Sequence, residues 1–411
     1  MKIKFLEENE VIIRGIAAKI SQSPLEKSID EIYDEVKRNE NETKELINKI
    51  VEKYKHLIFL DFFNQAIIFD NISRLAAIYL WRNVNSLNEI FGCGIEASFR
   101  IVKPERFVFE DELFYEAKEI YNKAIEKGIK EQDARYLLPE ATLTRLIFSS
   151  PIRYYQKLAS AFKKIKLDEF QEIGNKIEEI VKQKDIPILD EKLPSEWRIY
   201  GYWKNEKDKI EIKIKDKDIN SIYLYANISG SLAMFAQLVR QRLNLTIIQP
   251  FNKIVEDAEF VIPPSFDEEL IYLYKNFAKK IHKKQKELME IGDSNFVYYL
   301  LLGQKARGKL YGCGNSIIKI SQVRACGSSQ WEIRNSIGLP IFEKLKKYNI
   351  DNIGPLCYRE GTCIEPTTFK TKKGYCKIFN EFNGLFGNLN SKDIINKLKE
   401  KYQTFKIYTK S

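Results

Sequence analysis

Gln237, Arg240 and Arg242, in AQLVRQRLNLT from Ala236 to Thr246, are the residues whose types and spacing most invite chemistry. On a helix, a spacing of three puts the Gln237 amide and the Arg240 guanidinium on one face and turns Arg242 roughly the other way. The run before them, from Ile219 to Val239, carries no charge, so the arginines close a buried element instead of decorating a solvated one. A planar fork that binds two oxygens at once suits phosphate or carboxylate. A helix C-terminus whose basic residues complement its dipole is the other reading of the same stretch.

A second concentration of reactive side chains lies near the C-terminus. Cys357, Cys363 and Cys376 punctuate a Gly- and Pro-containing stretch poor in apolar residues, with Cys326 or Cys313 available as a fourth thiolate. Such a set could hold zinc or an iron-sulfur cluster and so order a segment with little core of its own. No Cys-x-x-Cys occurs, and unligated thiols in a packed loop are the alternative. The histidines add little: His282, in KKIHKKQK, reads as a solvated helix position.

Around these residues the chain offers ample core, with 411 residues, 44% of them hydrophobic and 12% aromatic. That length accommodates two or three domains. A formal charge of +10 favours anionic ligands or nucleic acid, but the basic residues form no stripe interleaved with aromatics, which argues against nucleic acid. MKIKFLEENEVIIRG resembles no signal or transit peptide, and the uncharged run at 219–239 contains too many polar residues for a membrane span. A cytoplasmic protein without a membrane segment is expected, and six cysteines, five beyond residue 312, do not suit a secreted disulfide scaffold.

The elements that must position the arginines follow from periodicity. Residues 23–55 read as amphipathic helices, 56–69 as a strand and 72–81 as a buried helix. A helix from Glu110 stops at Gly128, and EQDARYLLPEATLTRLIF reads as a helix broken at Pro139 and restarted at Thr142 or Thr144. A charged helix covers much of 161–195, and a boundary falls near 195–205. Strands then fill 209–225, a helix 226–243 and a long amphipathic helix 266–290. The similar order in the two halves points to an internal duplication.

Specific motifs then suggest a family. QVRACGSSQWEIR, from Gln322 to Arg334, resembles the C-terminal signature of flavin-dependent thymidylate synthases, and Gln237-Leu-Val-Arg240-Gln241-Arg242 resembles their Gln-x-x-Arg-His-Arg hallmark, with Gln241 in place of histidine. The first half holds Ser86-Leu-Asn88-Glu89, then Glu96-Ala-Ser98-Phe-Arg100, and it holds Ala134-Arg135-Tyr-Leu-Leu138-Pro139 and Pro151-Ile-Arg153. His56 with Asp61 fits the family's upstream histidine and acid. Each half lacks motifs that the other keeps.

The resemblance implies an α+β fold of two tandem repeats forming a pseudo-dimer: a lead-in at 1–55, repeats at 56–200 and 201–345, and a cysteine-containing tail at 346–411. It implies FAD as cofactor, methylenetetrahydrofolate and NAD(P)H as co-substrates, and methylation of dUMP to dTMP, with a homo-oligomer assembled as a dimer of pseudo-dimers. Gln237, Arg240, Arg324, Arg135, Ser98 and Arg100 would surround the nucleotide, Arg324 also serving catalysis. His56, Asn88, Arg153, Arg240, Gln241 and Arg242 would face the flavin. Glu89 and Glu96 compete for the glutamate beside both ligands, Glu89 as the catalytic candidate and Glu96 as a substrate ligand. The rival readings are a nucleotide-binding pseudoenzyme or scaffold, and a nucleic-acid-binding protein with Cys357, Cys363, Cys376 and Cys326 as a zinc module.

Overall fold

A computed structural model describes residues 9–20, 27–52, 64–86, 93–97, 103–183, 199–215, 219–241, 244–350, 352–360 and 403–408. In chain order come α1 (Glu10–Ile20), α2 (Ile29–Arg38), α3 (Glu40–Glu52), β1 (Asn64–Ser73), α4 (Arg74–Ser86), β2 (Cys93–Glu96) and α5 (Glu112–Glu126). The short α6 (Glu131–Ala134) runs into a 3-10 turn at Arg135–Leu137, followed by β3 (Leu143–Pro151), α7 (Ile152–Lys163) and α8 (Asp168–Gln183). Then come β4 (Lys209–Ile214), β5 (Ile222–Ser231), α9 (Leu232–Leu238), β6 (Asn244–Ile248), α10 (Phe251–Asp257), β7 (Glu259–Ile262) and α11 (Glu268–Glu290). A second 3-10 turn at Ser294–Tyr299 leads to β8 (Lys305–Cys313), α12 (Asn315–Arg324), α13 (Trp331–Ile333), a π-helical turn at Arg334–Gly338, α14 (Leu339–Lys347), α15 (Leu356–Glu360) and β9 (Gln403–Lys406). Helices and sheets are mixed, as an α+β fold requires.

The chain forms two compact units, one of Met1–Asp70, Phe91–Glu96 and Arg145–Pro194, the other of Asn71–Ile90, Ala97–Thr144 and Ser195–Ser411. In the first, Ile12, Ile16 and Val36 form a small core with Tyr33 packed against it. Gly174 lets α8 approach α7 closely, because a Cβ there would lie 3.1 Å from the Ala159 carbonyl oxygen. Its sheet has the order β1-β3-β2, and Arg145 grips Asp70 with two bonds of 2.7 and 3.0 Å.

In the second unit the sheet order is β4-β5-β8-β6. Both sheets therefore set the strand that precedes a serine-capped helix beside the strand that follows a 3-10 turn. The second unit also pairs two loop segments reciprocally about Pro139 and Leu301. Glu140 N donates to Leu300 O at 2.8 Å and Leu302 N to Leu138 O at 2.8 Å, while Ala141 N reaches Tyr298 O at 3.1 Å and Gly303 N reaches Tyr136 O at 3.0 Å. Each segment receives a helix start in the same way. Arg74 N and Leu75 N donate to Thr142 O and Glu140 O at 2.9 and 3.2 Å; Leu232 N and Ala233 N donate to Gln304 O and Leu302 O at 3.0 and 2.8 Å. Ser73 Oγ accepts from Ala76 N, and Ser231 Oγ from Met234 N.

Several expected elements change type. The stretch 226–243 is not one helix, since β5 runs to Ser231 and only then does the serine cap start α9. After Pro139 the chain restarts as β3, because Thr142 to Ser150 alternate between buried and more exposed positions, the period of a strand. His282 is not solvated: it is 3% exposed on α11, beside Gln285, which donates to Tyr299 O at 2.8 Å and to Gln304 Oε1 at 3.0 Å. No described helix is long and apolar enough to cross a membrane.

Candidate functional site

Basic side chains converge in the second unit from three elements. Arg74 opens α4, Arg135 opens the 3-10 turn and Arg240 follows α9; the first two are buried and the third is partly buried. Arg240 lies 5.4 Å over the Trp81 ring. Burial, reinforced by the charges of Arg240 and Arg135 and opposed by Glu140, pushes Arg74 down to about 9, and burial pushes Arg240 down to about 10. Guanidinium groups stay charged at neutral pH even so. Glu140, the carboxylate coupled to Arg74, is fully buried, and burial pushes it up to about 7 although Arg74 pulls it down.

Clustered guanidinium groups suit an anion, and a phosphate monoester offers oxygens matched to guanidinium forks.

The other arginine of the expected nucleotide set also lies here. Arg324, half-buried at the end of α12, donates from Nη2 to Gln237 O at 3.4 Å. The Gln241 carboxamide, oriented by its hydrogen-bonding partners, accepts from Arg324 Nη2 and, at 3.0 Å, from Nε. Gln241 thus occupies the histidine position of the hallmark and is engaged by an arginine. The Gln237 side chain is buried, and its Nε2 has no hydrogen-bond partner among the described residues.

The QWEIR segment fastens these elements together. Glu332 accepts from Ser231 N at 2.7 Å, Ser231 Oγ at 2.5 Å and the Tyr136 hydroxyl at 2.5 Å, so one carboxylate ties the cap of α9 to the residue after Arg135. Burial raises its pKa, while those donors pull it down. Gln330 Nε2 donates to the Tyr136 hydroxyl at 2.5 Å, and Trp331 Nε1 donates to Asp133 Oδ1 at 3.1 Å. Arg334 donates to the carbonyls of Gly327 and Ser329 at 3.0 and 2.9 Å, bracing the loop between α12 and α13. Gly338 admits this packing, since a Cβ there would meet the Arg324 carbonyl at 2.2 Å.

The second unit therefore brings together Gln237, Arg240, Gln241, Arg324 and Arg135 of the expected set. Glu96, buried on β2, and Arg153, at the start of α7, belong to the first unit. His56, Asn88, Glu89, Ser98, Arg100 and Arg242 lie outside the described residues, as do Cys363 and Cys376. Cys357 is buried on α15, Cys326 Sγ lies 3.2 Å from Ser328 Oγ, and no group of three or more metal-ligating side chains occurs among the described residues. Sequence reasoning missed Arg74, Glu140 and the Glu332 network. Arg74 was detectable as the one charge between Ile72 and Trp81, and Glu140 as the one charge between Tyr136 and Thr144.

An α+β protein with a cluster of buried and partly buried arginines is the class that this fold and site define. Residues 4–187, less than half of the chain, match the family model described as "Thymidylate synthase complementing protein". Through this region the chain is similar to that family. No protein of curated function matches it. Two crystal structures of flavin-dependent thymidylate synthase ThyX from Helicobacter pylori with FAD and dUMP are similar over 41% and 40% of this chain and 87% and 86% of theirs, at 20% identity. Their TM-score of 0.33 is too low to place any site residue of this chain.

Proposed function

We propose that this chain binds dUMP at the arginine cluster and, with FAD, methylenetetrahydrofolate and NAD(P)H, methylates it to dTMP. The observation that carries the reading is the grouping of Arg135, Arg240 and the buried carboxylate of Glu140 around Arg74, in a chain part of which matches the family model. Arg135 and Arg240 would take the phosphate, with Gln237 and Arg324 beside the base and Ser98 and Arg100 completing the set.

Reduced flavin supplies a hydride and folate the one-carbon unit, so the protein's own part is orientation and electrostatics. Arg240 suits an anionic group of the flavin dinucleotide, and Arg153, His56, Asn88 and Arg242 complete the set by resemblance. Gln241 could serve the flavin only through its NH2 group, because its oxygen is engaged by Arg324. Either Glu89 or Glu96 would stand beside both ligands.

The two halves read as a tandem duplication. In support, the order β1-β3-β2 corresponds to β5-β8-β6 of the four-stranded sheet, the serine caps are equivalent and the loop bonds about Pro139 and Leu301 are reciprocal. The repeats at 56–200 and 201–345 are proposed on that basis, and a dimer of such chains is testable by light scattering. A metal held by Cys357, Cys363, Cys376 and Cys326 is a separate proposal for elemental analysis, with Cys363→Ser as control.

Engagement of Gln241 by Arg324 favours one second reading, a nucleotide-binding pseudoenzyme without flavin. The discriminating experiment is flavin absorbance after addition of FAD, followed by tritium release from labelled dUMP with folate and NADPH. Flavin uptake and tritium release are expected. A protein that binds dUMP but takes up no flavin would be the pseudoenzyme.

A further inference from the structure

Glu140 is the carboxylate beside Arg74 of the arginine cluster, and it is fully buried. Neither of its carboxylate oxygens accepts a hydrogen bond from any described residue. Its backbone is committed, with N donating to Leu300 O at 2.8 Å and O accepting from Leu75 N at 3.2 Å, so the residue is held in place and its side chain remains. An ionised carboxylate offers about four acceptor sites, and buried polar groups almost always find partners.

The fold itself does not require a carboxylate at this position. At the reciprocal place stands Leu302, 1% exposed, its N bonded to Leu138 O at 2.8 Å and its O receiving Ala233 N at 2.8 Å. Leucine fills the same backbone setting, so the backbone arrangement does not demand an acidic side chain at 140.

We propose that Glu140 reads the substrate, accepting a hydrogen bond from an N–H or O–H donor of the nucleotide whose phosphate the arginines hold. This rests on the reading of the arginine cluster as a nucleotide phosphate site. The ligand must then carry a dianion and a donor on one molecule. Deoxyuridylate has two such donors, the imide N3–H and the 3′-hydroxyl. A pyrimidine with an acceptor at N3, such as a cytosine nucleotide, presents a lone pair to the carboxylate if the imide is the group read.

The test is a binding series on the full chain, by calorimetry, with dUMP, N3-methyl-dUMP, 2′,3′-dideoxyuridine 5′-monophosphate and inorganic phosphate. Wild type is expected to bind dUMP and to lose about tenfold to a hundredfold with whichever analogue lacks the donor read, the range for a hydrogen bond to a charged group. Glu140→Leu should lose the same factor for dUMP, show no further loss with that analogue, and bind inorganic phosphate as well as wild type or better. Glu140→Gln, which keeps an uncharged acceptor, should lose less and carries the test if the leucine variant does not fold. Equal dUMP affinity in wild type and both variants, or undiminished analogue losses in Glu140→Leu, would overturn the role of Glu140 while leaving the phosphate site standing. Wild type that binds neither dUMP nor phosphate would remove both.

Discussion

Residues 135–142 and 297–304 share one backbone arrangement, bonded to each other reciprocally and each receiving the start of a capped helix, yet they carry opposite chemistry. Arg135 stands where the other segment has Val297, Glu140 where it has Leu302, and Arg74 where the other helix starts with Leu232. Val297, Leu302 and Leu232 are at most 1% exposed and belong to the core. The same scaffold thus supports a charged site on one side and ordinary apolar packing on the other. Charges at those three positions are not demanded by the shared backbone arrangement, and buried ionisable groups cluster at functional sites.

Exchanging residues across this pair separates the two roles. Leu302→Glu should cost the most, about 3–5 kcal/mol, because Leu232 offers the new carboxylate none of the compensation that Arg74 gives Glu140. Urea unfolding would show it, and a loss below 1 kcal/mol would break the comparison. Glu332→Ala strands three buried donors, two on Ser231 and one on Tyr136, and should cost about 3 kcal/mol by the same measurement.

Glu140→Leu should act in the opposite direction and depend on pH. The folded pKa of Glu140, about 7, lies above the usual 4.5, so between those values the folded state holds a proton that the unfolded state has released. Its contribution to stability therefore falls as pH rises through that window, by up to about 3 kcal/mol once pH exceeds 7. Arg74, the charged group that pulls on this carboxyl, keeps its charge throughout, so it does not move the window. The advantage of Glu140→Leu over wild type should grow from pH 4.5 to pH 8, and a flat difference would contradict the burial of an ionisable group there. Smallest of all, Trp331→Phe removes the 3.1 Å bond to Asp133 and should cost about 1–2 kcal/mol.

The order of elements was largely legible, because long periodic helices such as α5 and α11 announce themselves through spacing and caps. The segment after Pro139 was not, since a strand buried on one face reads much like a short apolar helix. At 226–231 the uncharged run hid the switch from strand to helix that Ser231 makes. The motifs located Gln237, Arg240, Arg324 and Arg135, four residues that the fold brings into one unit. Their charge balance was hidden, because Arg74 and Glu140 belong to no motif and meet the others only through the pairing of 136–142 with 298–303. His282 shows the same limit from the other side: a lysine-rich neighbourhood marked it as solvated, although its own face of α11 is buried.

The most direct test is titration calorimetry of dUMP into wild type and Arg135→Val, a replacement for which the structure already offers a precedent at Val297. With the fold verified by its unfolding midpoint, wild type should bind and the variant should lose on the order of a hundredfold in affinity, as expected for removal of a bidentate, charge-assisted contact. Affinity within twofold of wild type would contradict the arginine cluster as the nucleotide phosphate site.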